Sequence, residues 1–127
     1  MFLETKTDYY LPTPTRTWRD VLLRAADLIE QKGLSKQRFV QPSGQICTAM
    51  AIYLAANPEL NVNPPCSQVV RPTDWVGLPS EAAEHYLKHI DFNEGWSPGS
   101  GVCLANNRAS STAKSVARDL REAARVS

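Results

Sequence analysis

Residues 17–34 read TWRDVLLRAADLIEQKGL. Leu22, Ala25, Ala26 and Ile29 recur at helical spacing, and Val21 and Leu28 flank the same face. Thr17 has the chemistry of an N-cap, and Asp20 three residues on gives a near capping box. Gly33 stops the pattern and lets Leu34 fold back in a Schellman-type contact. This stretch predicts an amphipathic helix over about residues 17–32 and sets the expectation of a helical protein.

Working outward, CTAMAIYLAA (47–56) is apolar nearly all round, which describes a buried helix that Asn57-Pro58 ends. Between these helices lies QRFVQPSGQIC (37–47), where Phe39 and Val40, the turn Pro42-Ser43-Gly44 and Ile46 predict a small β-hairpin. Residues 57–79 carry five prolines and predict an irregular loop, with Val69 and Val70 in a short extended piece. Ser80 is expected to cap a third helix over about 80–90, with Ala83, Tyr86, Leu87 and Ile90 on one face. Residues 91–101, with three glycines and Pro98 around Trp96, predict a flexible loop. Ser110 or Ser111 then caps a last helix to about 125, whose core face is Ala113, Val116, Ala117, Leu120 and Ala124. Residues 1–14, with Pro12 and Pro14, form an extended lead-in, and Tyr9 to Leu11 suit a short strand. The expected fold is mainly α: about four helices, a small β-hairpin and long Pro/Gly-rich loops, in one domain over 1–127.

Three of these stretches together resemble a known family. They are VLLRAADLIEQKGL (21–34), GQICTAMAIYLAA (44–56) and LANNRASSTAKSVARDLREAA (104–124). The order is similar to that of small proteins of unknown function found in actinobacteria and their bacteriophages. The closing turn of that family usually carries Trp-Asn-Asp, where this chain has Leu104-Ala105-Asn106-Asn107. The resemblance implies an actinobacterial or phage origin and no mechanism.

Composition narrows the function. Fourteen basic residues face 13 acidic ones, a net charge of +1, which excludes a polybasic protein. No apolar run approaches the roughly 20 residues of a membrane span, so no membrane role is expected. MFLETKTDYY has no basic-then-apolar pattern, so no secretory signal is expected. Three widely spaced cysteines, Cys47, Cys66 and Cys103, point to a reducing, cytoplasmic setting.

Cys47 at a helix start has a setting that lowers a thiol pKa, and a cysteine hydrolase would pair it with His85 or His89 and an orienting Asn106 or Asn107. The preferred reading is a small buried cysteine packing an apolar helix, with no catalytic residue. His85 and His89 form an H-x3-H pair that Cys66 or Cys103 could complete as a zinc site, but closely spaced ligand pairs are missing and no metal is expected. Gly99-Ser100-Gly101 reads as a turn rather than a phosphate loop, so no cofactor is expected. Asn106 and Asn107 read as turn residues bonding their own backbone.

Charge distribution says more than net charge. Residues 55–100 hold 2 basic and 6 acidic residues, and residues 101–127 hold 5 and 2. Lys114, Arg118, Arg121 and Arg125 fall at i, i+4, i+7 and i+11, one basic stripe beside the apolar one. It can lie solvated, contact phosphates, or dock on an acidic partner or on the acidic middle of a second copy. Trp75 and Trp96 offer aromatic contact area. The function expected is that of a small non-enzymatic cytosolic protein, phage-encoded as the resemblance implies, that binds a host macromolecule. A protein partner is preferred over a homo-oligomer, over nucleic acid held by the C-terminal helix, and over a hydrolase using Cys47. The binding residues expected are Lys114, Arg118, Arg121, Arg125, Trp75 and Trp96.

Overall fold

A computed structural model of the chain describes residues 17–36, 44–58 and 71–126. These form five helices: α1 (Trp18–Lys32), α2 (Thr48–Ala56), α3 (Leu78–His89), α4 (Pro98–Asn106) and α5 (Ala113–Arg125), with a 3-10 turn at Pro72–Asp74. The expected strand at Tyr9 to Leu11, the extended piece at Val69 and Val70, and the proline-rich stretch 59–70 lie outside the described residues.

α2 is the centre. Its residues from Thr48 to Ala55 are all buried, as an apolar surface with no polar stripe requires. α1, α3 and α4 pack around it, and α5 packs along α1 and α3. α1 turns Val21, Leu22, Ala25, Ala26 and Ile29 inward, and Thr17 Oγ1 accepts the Asp20 N–H at 3.2 Å as the N-cap. α5 turns in Val116, Ala117, Leu120, Ala123 and Ala124, while Ala113 is only half-buried. Alanines at 25, 26, 117 and 124 remove side-chain bulk where α1 and α5 meet, and Leu22, Ile29 and Leu120 are fully buried.

The mainly helical expectation holds, but the helix count and the β-hairpin do not. Among the described residues there is no strand. Leu34 and Ile46 form an isolated parallel bridge, in which the Ser35 N–H donates to Ile46 O at 2.8 Å and the Ile46 N–H to Gly33 O at 3.1 Å. Ile46, expected to pair with Phe39 and Val40 in an antiparallel hairpin, is instead committed to this parallel bridge, and residues 37–43 lie outside the described residues. Gly33 has φ 88° and ψ 165°, which sends the chain onward into the bridge instead of folding Leu34 back over the helix.

The fifth helix lies where a flexible loop was expected. Gly99 and Gly101 are poor helix formers, which hides α4 from a propensity reading. The start signals are nevertheless local: Ser97 and Ser100 form a capping box, and Pro98 occupies the first turn, where its missing N–H costs nothing. Two other caps are displaced. Gly77 and not Ser80 precedes α3, with Pro79 in its first turn. Thr112 caps α5 in a box with Ser115, while Ser111 is buried and its hydroxyl donates to Ala105 O at 2.8 Å.

Candidate functional site

The loop between α3 and α4 holds the most exposed aromatic side chain among the described residues. Trp96 is 84% exposed. It stands immediately before the Ser97 cap, so the capping box that starts α4 fixes the backbone beneath it. Leu87, Phe92, Trp96 and Pro98 line a groove of about 350 Å³, with Glu84 and Lys88 at its α3 side. Phe92 is held from both directions: its N–H donates to Leu87 O at 3.0 Å, and the Arg108 guanidinium lies 5.3 Å from its ring centroid. Trp75 is placed differently. It is 8% exposed and stacks near Tyr53 of α2, with ring centroids 6.0 Å apart, so it is part of the core.

The basic stripe of α5 does not act as one surface. Arg121 is half-buried and grips α1: Nη1 donates to Glu30 Oε2 at 2.6 Å, and Nη2 to Glu30 Oε1 at 2.6 Å and to Asp27 Oδ1 at 2.9 Å. Glu30 is held below the usual carboxylate range, chiefly by the hydrogen bond from Arg121. The same bonds, from Glu30 first and then Asp27, raise the Arg121 pKa. Arg118 bonds its neighbour Asp119 through Nε and Nη2, each at 3.2 Å from Oδ1. Lys114, Arg118 and Arg125 are exposed, and Lys114 and Arg118 share a shallow depression with Glu30 and Arg121.

A family model matches residues 13–126, the whole of the described structure, and that family is described as a family of unknown function, DUF6197. The chain belongs to DUF6197. No curated protein and no solved structure matches it.

In this DUF6197 chain, the residues a cysteine hydrolase would need do not meet. Cys47 is the N-cap of α2, 4% exposed, and its Sγ accepts the Met50 N–H at 3.3 Å. Burial pushes the thiol up to about 12, against a smaller lowering by backbone N–H groups, chiefly that of Met50. His85 instead stacks on Trp18 of α1, with ring centroids 3.6 Å apart and planes 6° from parallel. His89 Nε2 faces Glu122 Oε1 of α5 at 3.4 Å. Asn106, the candidate orienter, spends its side chain on Thr48 and Ser35. A thiol raised from 9.0 to about 12 has about 1,000-fold less thiolate at pH 8. Alkylation of Cys47 by iodoacetamide, followed by peptide mass spectrometry, should therefore be at least 100-fold slower in the native chain than in urea (about that order). Equal rates in the two states would contradict the buried placement.

The H-x3-H pair is also divided by these contacts. His85 belongs to the α1 seam and His89 to the α5 seam. His89, Asp119 and Glu122 do bring metal-type donor atoms together, all within 4.8 Å of one another. Sequence spacing gave no hint of this group, because it joins two helices about thirty residues apart along the chain.

Proposed function

We propose that this DUF6197 member is a non-enzymatic cytosolic protein, encoded by an actinobacterium or its phage, that works by binding a protein partner. The observation that carries the reading is Trp96, 84% exposed at the lip of an apolar groove. An indole left in water at a fixed position is unused binding area. Covering such a ring removes about 200 Å² from water, on the order of 5 kcal/mol before the costs of association. Tryptophans in such places are the residues that dominate interfaces. Glu84 and Glu94 outnumber Lys88 in the groove lining, so a partner segment that pairs an apolar residue with basic neighbours fits it best. The origin and the compartment rest on the resemblance and on the cysteine pattern.

Nucleic-acid binding by α5 is less favoured, because Arg121 is committed to Glu30 and Asp27, and Arg118 to Asp119. Among the described residues no helix is long and apolar enough to cross a membrane.

Cross-linking capture from actinobacterial lysate, read by quantitative mass spectrometry, tests the reading. A protein held by the wild-type chain should fall about tenfold or more in the Trp96→Ser variant, whose circular dichroism should match wild type. The Lys114→Gln/Arg125→Gln variant should retain it. Equal capture by Trp96→Ser, or co-purifying nucleic acid lost with Lys114 and Arg125, would overturn the proposal.

A further inference from the structure

The seam between α3 and α5 carries a second feature, away from the Trp96 groove. Asp119 and Glu122 are three residues apart on α5, which puts both carboxylates on one helix face. His89 is the last residue of α3, and the two helices pack against each other. Tyr86, one turn before His89, is buried, and its phenol is raised above its usual range by burial and by the charge of Asp119. Asp119 therefore sits in the seam, half-buried like His89, and exposed Glu122 opens the group to water.

We propose that His89, Asp119 and Glu122 form a binding site for a first-row divalent transition ion such as zinc, nickel or cobalt. Bonds of about 2.0–2.2 Å to imidazole nitrogen and carboxylate oxygen place neighbouring ligand atoms about 3.0–3.5 Å apart. His89 Nε2 and Glu122 Oε1 already stand at 3.4 Å. All donor atoms of the group lie within 4.8 Å, so the widest pair needs to close by little more than about 1 Å, a rotamer adjustment for a surface carboxylate. An imidazole with two carboxylates selects zinc, nickel or cobalt over magnesium and calcium, which take all-oxygen sets. Three protein donors on one side leave coordination positions for water. The ion would tie α3 to α5, replacing the single His89–Glu122 contact by three bonds.

Arg118 sets the strength of the site. Arg118 donates twice to Asp119 Oδ1, which orients that carboxylate and also competes for it. A cation held on one of the two carboxylates weakens the net field, so a micromolar rather than a nanomolar site is expected, with Asp119 the least tightly used ligand.

The test is titration of the full-length, tag-free, metal-stripped chain with cobalt and zinc, followed by calorimetry and by the cobalt visible spectrum. One ion per chain should bind with a micromolar dissociation constant, and magnesium should not compete. His89→Gln and Glu122→Gln should each weaken binding by about tenfold or more, and Asp119→Asn by less. His85→Gln should bind as wild type, since its ring lies on Trp18. The cobalt spectrum should lack a thiolate-to-metal charge-transfer band, which separates this site from binding by the cysteines. Circular dichroism confirms the fold of each variant, and exposed Glu122 keeps the test sound if His89→Gln misfolds. Binding only at millimolar metal, a thiolate band, or affinity that survives both His89→Gln and Glu122→Gln would overturn the proposal.

Discussion

Asn106→Ala should lower the stability of this protein by about 3–5 kcal/mol. The side chain is 3% exposed and closes a junction of three segments. Its Oδ1 accepts the Thr48 N–H at 2.8 Å and the Thr48 hydroxyl at 2.6 Å, and its Nδ2 donates to Ser35 O at 2.8 Å. Thr48 is the first residue of α2, where a helix has backbone N–H groups without internal partners. A surface helix gives such groups to water. α2 is buried from its first residue, so one of these donors is met by Asn106 from another helix and one by the Cys47 thiol. The main chain of the same residue matters too: Asn106 O and Arg108 O both accept from Lys36 Nζ, at 2.8 and 2.6 Å, at the end of α4. Alanine would leave the Thr48 N–H, its hydroxyl and Ser35 O without this partner in a dry place, each at about 1–3 kcal/mol less whatever water regains. Urea denaturation followed by circular dichroism measures the effect, and a loss under about 1 kcal/mol would show that the junction is structurally idle.

Asn106 also shows where sequence reading stops. Next to Asn107 and before a helix, it reads as a turn residue bonding its own neighbourhood. It is instead the last residue of α4, and its partners lie 58 and 71 positions away. Nothing local encodes such a bond. The same holds for Arg121. Its place on a basic stripe follows from periodicity, but Asp27 and Glu30 cancel it only because α1 and α5 pack side by side. By contrast α1, α2 and the core face of α5 were legible, because apolar spacing is local and the energy of burial acts directly on it. The Trp96 groove was legible only in part: both loop tryptophans looked alike, and packing alone puts Trp75 against Tyr53 and leaves Trp96 outside.

Gly99→Ala opposes two effects of known sign, and the structure decides between them. Helix propensity alone favours alanine over glycine inside a helix by about 1 kcal/mol. Gly99 lies in the first turn of α4, and its face meets main chain. A Cβ built there would overlap Pro72 O and stand 2.7 Å from Pro72 C and 2.9 Å from Pro72 Cα. No rotamer relieves a clash with a backbone, so either α4 or the 3-10 turn must move. That turn leads into Trp75, which is anchored on α2 beside Tyr53, so moving it opens the core. The overpacking term should exceed the propensity gain, for a net loss of about 2–4 kcal/mol. Leu104→Ala, on the exposed side of the same helix, should change stability by less than about 1 kcal/mol. Tryptophan emission in a Trp18→Phe background supplies an independent readout: Trp96 is already in water, so a red shift in the folded Gly99→Ala protein would report Trp75 leaving its pocket. A variant as stable as wild type, with unshifted emission, would mean that propensity outweighs the contact and that α4 is free to slide on the 3-10 turn.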